Sequence, residues 1–169
     1  MGTPNVFFIF NAAAQWKPLS GATKTTGFCT PDMALIDDGG GDVTLSGTAN
    51  TAKFSYKGKD YTTYAAADAT LAVQKGRKPK FAFNVADASA NTNTFFLAGL
   101  ALKNLAGGTG DKSFPALDLS VAKDGSTTLN LKDDNDAGAG TTVKFDFWVL
   151  VQNSSGDIGL IDPLVTNTN

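Results

Sequence analysis

Residues 131 to 140 read LKDDNDAGAG, in which Asp133, Asp134, Asn135 and Asp136 place three carboxylates and an amide at four successive positions. Oxygen donors packed this closely suit a hard cation, since calcium takes roughly six to eight oxygens from carboxylates, amides, carbonyls and water. The segment is not an EF-hand loop: the alternating Asp order is broken, and the chain has no Glu to close the loop. A calcium site here must draw a second segment to the same ion. The candidates are DDGGGD at 37 to 42, or Asp162 and Asn167 from the tail. Paired sugar hydroxyls could then complete the ion's shell, with Asn167 as a ligand contact, which makes calcium-assisted glycan binding one reading of the chain. The simpler reading is a polar turn, in which Asp and Asn side chains bond their own backbone and Gly supplies positive φ. In solvent the repulsion among these carboxylates is screened to about a few tenths of a kcal/mol, so a turn needs no ion to exist.

Composition narrows the chemistry further. The chain of 169 residues contains no His, and all 16 acidic residues are Asp. Without His, neither a Ser-His-Asp nor a Cys-His nucleophilic arrangement can be built, nor a His-ligated zinc or haem site. The single Cys29 has no imidazole to activate it and no internal disulfide partner, and reads as a small buried apolar residue. Paired Asp residues can hydrolyse glycosides when two carboxyls face each other about 5–10 Å apart across a cleft, but no spacing in the sequence sets up such a pair. The chain is read as non-catalytic.

Partners are constrained by charge. Net charge is −2, and the only Arg, Arg77, lies in the run QKGRKPK at 74 to 80, where Gly and Pro mark a solvated turn. A nucleic-acid surface needs several cations on one face with stacking aromatics between them, so none is expected. No apolar run approaches the ~20 residues of a membrane span. The start MGTPNVFFIF has neither a basic region nor a small-residue cleavage pattern, and with a lone Cys this predicts residence in the cytoplasm. Trp16, Trp148, Tyr56, Tyr61 and Tyr64 are the aromatics on which a sugar could stack. In an all-β chain most such rings serve core or cross-strand packing; Trp16 is singled out as a ligand contact because AAAQWKP reads as a loop.

These residues must be positioned by strands. Eighteen Gly, twenty Thr and no Glu disfavour helices and suit strands and turns. Period-two alternation recurs, most clearly in TVKFDFWVLVQ at 142 to 152, whose second face is half apolar, predicting a central strand. VFFIF at 6 to 10 is continuously apolar and should also be central. Further strands are predicted at 33–36, 43–47, 52–56, 70–74, 80–86 and 95–103. A hairpin is predicted to turn at Asp124-Gly125 between 117–122 and 127–132, and another at 153–157 leading into IGLID. YAAADATLA at 64 to 72 admits a helical turn or two. The whole predicts one domain over residues 1 to 169, a two-sheet antiparallel β-sandwich with Ig-like and jelly-roll topologies both open.

The early strand NVFFIF, the segment ATLAVQKGRKPKFAFNVADASANTNTFFLAGLALK at 69 to 103, and KFDFWVLVQNSSGDIGLIDPLVTNTN at 144 to 169 together resemble the bacterial AidA/PixA inclusion-body proteins and the small family named for its Asp-Pro and Glu-Pro dipeptides. The tail carries the most specific part of the resemblance: Asp162, Pro163, Leu164 and Val165, then Asn167, after a hairpin. The chain departs from the pattern in lacking Glu-Pro and in carrying FNAAAQW after its first strand. What the resemblance implies is a β-sandwich without catalysis in a protein that accumulates or assembles, with sugar binding in some relatives. Two function classes result: a self-associating structural protein forming a homo-oligomer or larger assembly through lightly guarded strand edges, and a calcium-assisted glycan-binding module.

Overall fold

A computed structural model of the chain describes residues 2–11, 16–18, 26–87, 95–106, 116–121, 127–135, 140, 142–153, 156, 158–162 and 164–168. Among them are fifteen strands and no helix: β1 Asn5–Phe10, β2 Trp16–Pro18, β3 Thr26–Cys29, β4 Asp32–Asp37, β5 Val43–Ser46, β6 Ala49–Tyr56, β7 Lys59–Ala65, β8 Thr70–Val73, β9 Lys80–Asp87, β10 Phe95–Ala106, β11 Ala116–Val121, β12 Thr127–Lys132, β13 Thr142–Asn153, β14 Ile158–Ile161 and β15 Leu164–Thr168. They form a seven-stranded sheet, β11-β12-β9-β1-β4-β7-β6, and an eight-stranded one containing β2, β3, β14, β13, β15, β8, β5 and β10.

The pairing is mixed rather than antiparallel throughout. β1 runs parallel to β9, β14 to β3 and β15 to β8. Hairpin signals report only consecutive antiparallel neighbours, whereas these three pairs join segments far apart in sequence. β1 is central, between β9 and β4. β13 is central too: β10 follows one edge, while the other is shared by β15 at Thr142–Asp146 and β14 at Val149–Gln152. Both expected hairpins are present as the antiparallel pairs β11–β12 and β13–β14, with the turn residues 122–126 outside the described set.

Alternation dictates the core. Val6, Phe8 and Phe10 of β1 are buried, and Phe8 stacks on Phe83 with ring centroids 5.8 Å apart. Phe81, Phe83, Leu129, Leu131 and Met33 from the seven-stranded sheet join Leu71, Val73, Val149, Val151, Ile161 and Val165 from the other in one buried cluster. Each such side chain contributes about 1.5–3 kcal/mol through burial.

Two local features shape the surface. The hairpin β6–β7 turns at Lys57 and Gly58, whose φ values of 49° and 76° are both positive, as a tight two-residue hairpin turn requires. β7 pairs with β4 only at Asp32↔Ala65 and Met33↔Tyr64, so the rest of the hairpin leaves the plane of the sheet. It folds back until Phe54 and Tyr56 lie 5.5 and 5.0 Å from Phe7 of β1, ring centre to ring centre. The second feature is DDGGGD: Asp37 and Asp38 accept hydrogen bonds from the backbone N–H groups of Gly39 and Gly40, both at 2.9 Å, and the chain re-enters the core at Asp42.

The helical turn expected within 64–72 is absent. Tyr64 and Ala65 end β7, residues 66–68 make a single reverse turn, and β8 follows. The loop expected around Trp16 is likewise corrected: Trp16–Pro18 forms a strand opposite Cys29 to Gly27, because β3 offers it an edge. No helix among the described residues is long and apolar enough to cross a membrane.

Candidate functional site

Segments from four strand ends meet where β8 finishes. Val73, the last residue of β8, faces Val43 on one side and Asn167 on the other. The next residue, Gln74, donates its N–H to the carbonyl of Asp42 at 2.9 Å and accepts at its own carbonyl from Asn135 Nδ2 at 3.2 Å. Asp133 N–H donates to the carbonyl of Pro79 at 2.9 Å, which pins the residue just past β12. Asp42, Asp133, Asn135 and Asn167 thus gather around one strand end, and none is more than 4% exposed.

The charge-dense segment is therefore not an exposed turn. Asp133 is fully buried. Its Oδ1 accepts from the backbone N–H of Asn135 at 2.7 Å, the side-chain-to-backbone bond of an Asx turn, with Asn135 at a φ of 41°. The same Oδ1 accepts from Asn167 Nδ2 at 2.9 Å. Asp134 turns elsewhere and pairs with Lys132 Nζ at 2.9 Å. Asp136 lies outside the described residues. Asp162 sits between β14 and β15, before Leu164, which faces Asp146, whereas Asn167 faces Val143. At about 3.3 Å per residue, Asp162 and Asn167 are at least ~10 Å apart and cannot share one ion. Trp16 lies on the edge strand β2 of the eight-stranded sheet. Asp42, not named individually from the sequence, is the acidic residue of DDGGGD that turns inward; its two predecessors are held by their own turn. Arg77, in the basic run, places Nε 3.4 Å from Asp42 Oδ1.

A second site lies on the opposite side of β1. The arching β6–β7 hairpin and the sheet beneath it enclose an open trough of about 830 Å³, within the range of roughly 300–1,000 Å³ that small-molecule sites occupy. Phe7, Tyr56 and Tyr61 supply aromatic surface, Asp37 and Asp38 carboxylates, and Lys57 and Lys59 cations. Lys57 Nζ lies over the Tyr56 ring and Lys59 Nζ over the Tyr61 ring, each 5.2 Å from the centroid. Tyr56 and Tyr61 were among several aromatics recognisable from sequence; only the hairpin's fold-back distinguishes them.

On the hairpin's other flank a smaller cleft of about 390 Å³ contains Asp32, whose carboxyl burial raises above its usual range, with hydrogen bonds from Asn50 and Asn11 opposing the shift. Among the described residues lining it, Asp32 is the one carboxylate. Cys29 is buried and its thiol is pushed up to about 12 by that burial. Comparison with protein-family models and with curated proteins finds no match for this chain.

Proposed function

We propose that this chain is a non-catalytic glycan-binding module, its two sheets stacked as a sandwich and its ligand lying in the trough beneath the β6–β7 hairpin. One observation carries the reading: Tyr56 and Tyr61 line the same open volume of about 830 Å³ as Asp37 and Asp38. A pyranose has apolar C–H faces and hydroxyl edges. Aromatic surface takes the first, and carboxylates and ammonium groups take the second. Each carboxylate already spends Oδ1 on the turn, which fixes its orientation and leaves the second oxygen outside that turn.

An ion is not needed to contact sugar. Asp133, Asn135 and Asn167 are buried too deeply for a hydroxyl pair to reach an ion among them, so glycan recognition belongs to the trough. A glycan array followed by titration calorimetry tests this. Binding that Tyr61→Ala weakens at least tenfold supports it, and an array blank for both proteins removes it.

Self-association is the second reading, and β10 favours it. This strand is twelve residues long, carries Lys103 as its only charge and, among the described residues, pairs with β13 alone. The other outer strands are guarded: β2 is short and ends in Pro18, β5 has four residues, β6 is irregular in register beside Lys53, and β11 carries Asp118. Light scattering over a hundredfold concentration range separates a monomer from an assembling chain.

A further inference from the structure

We infer that the outer face of the eight-stranded sheet is the docking surface for a second copy of this chain, paired about a two-fold axis that runs along the strands between β13 and β14. The inference is separate from the trough, none of whose lining residues lies on this sheet, and from pairing along β10.

Alternation places one apolar row on that face. Val149 and Val151 of β13 and Ile161 of β14 turn into the core, so Leu150 and Leu160 turn outward, and both are only half-buried. Cys29 of β3 is buried, so Phe28 beside it stands outward; at 47% exposed it is the single large apolar side chain left this open among the described residues. Backbone register sets these residues side by side: Phe28 is opposite Leu160, Leu160 opposite Leu150, and Leu150 opposite Gly99 of β10. The row thus begins in a protruding ring and ends in a residue with no side chain. A Cβ built on Gly99 would meet nothing within 4 Å, so it points away from the core and the dip above it is open.

Knob and dip together set the axis. Three strand spacings of about 4.8 Å separate Phe28 from Gly99, roughly 14 Å in all. Their midpoint lies between β14 and β13. A two-fold axis through that point along the strands lays each Phe28 on the partner's Gly99 and each Leu160 on the partner's Leu150. An axis across the strands would instead set Phe28 on Phe28 and leave both dips empty, forfeiting the contacts that close packing supplies.

Charge and area agree with this occupant. Lys144, exposed on the same face, stands beside Thr166 of β15, so the same rotation sets it over threonine and no two of these lysines meet. Lys17, at the β2 end of the row, falls beyond β10 of the other copy. The face is five strands across at either end of β13, as β2-β3-β14-β13-β10 and as β5-β8-β15-β13-β10, and β13 is 12 residues long. With about 4.8 Å per strand and 3.3 Å per residue it measures on the order of 24 by 40 Å. That exceeds the roughly 800 Å² per partner of a standard stable interface. Stacked sheets keep their strands within about 30° of each other, as this axis requires.

The test is sedimentation velocity on the full chain across a hundredfold concentration range. Expected is a monomer–dimer equilibrium that stops at two copies, because a two-fold face is used up once paired. Phe28→Ser removes the ring, and Gly99→Leu fills the dip with a side chain that has open space in the single chain. Each should raise the dimer Kd at least tenfold, while the melting midpoint of the dilute monomer stays within about 2 °C of the wild type. Should either variant fail to fold, the other decides. A wild type that is monomeric throughout, growth past two copies, or a dimer that either folded variant leaves intact overturns the surface. Glycan titration of both variants reads the trough separately, and binding per chain should be unchanged.

Discussion

Asn167 Nδ2 donates to Asp133 Oδ1 across 2.9 Å, and neither residue is exposed to solvent. The two lie 34 positions apart, on β15 of one sheet and just beyond β12 of the other, so this single bond ties the chain's tail to both sheets. A buried hydrogen bond to a charged group is worth about 1.5–3 kcal/mol, and removing one partner leaves the other's desolvation unrelieved. Asn167→Ala should therefore cost about 2–3 kcal/mol, read as a lower urea midpoint at unchanged slope.

The trough depends on a ring cluster that holds the hairpin over the sheet. Phe7 touches both Phe54 and Tyr56, whereas Tyr61 lines the trough and makes its cation contact with Lys59. Phe7→Ala should loosen the hairpin, costing about 3 kcal/mol at most because the ring is only half-buried, and should weaken glycan binding as well. Tyr61→Ala should weaken glycan binding at least tenfold with a stability change below about 1 kcal/mol. Parallel calorimetry and thermal melts separate the two effects.

Strand content was legible in the sequence wherever apolar alternation was strong, as in β12 and β13, because burial of one face leaves a direct imprint at period two, and in β1 through its unbroken apolar run. β7 was missed because its hairpin turns at Lys57-Gly58, and a Lys at positive φ carries none of the Asn-Gly or Asp-Gly signal. β15 was missed because VTNTN is polar; it is a strand by virtue of lying between β13 and β8, paired antiparallel with the first and parallel with the second, which nothing local encodes. The same limit applied to Asp133. A run of carboxylates reads as surface, and its burial depends on Asn167, Gln74 and Pro79, all remote in sequence. The inward turn of Asp42 was likewise invisible, since only the folded turn shows that Asp37 and Asp38 are spent on Gly39 and Gly40.

That turn is sterically committed. Gly39 has a φ of +72°, and a Cβ there would meet Pro4 Cδ and Cγ at 2.9 Å. An Ala at this position meets a backbone penalty of order 1–3 kcal/mol in addition to the clash. Gly39→Ala should lower stability by about 2 kcal/mol or more, whereas Gly41→Ala, with open space around its Cβ, should show the backbone penalty alone. The difference between their melting midpoints isolates the contact with Pro4.

Cys29 gives a pH signature whose sign can be worked out. Burial pushes its thiol up to about 12, partly offset by a hydrogen bond with the backbone of Leu160, against an ordinary value of 9.0. Between those values the folded chain keeps a proton that the unfolded chain has released, so stability falls as pH rises, by at most about 1.4 kcal/mol per unit. Below about pH 8 both states hold the proton and Cys29 adds no slope. Urea midpoints from pH 7 to 11 should decline more steeply in the wild type than in Cys29→Ala, and native protein at pH 8 should react with a thiol reagent only as fast as it unfolds. Rapid labelling of the native state, or identical pH slopes in the two proteins, would show that the thiol is not held in the core.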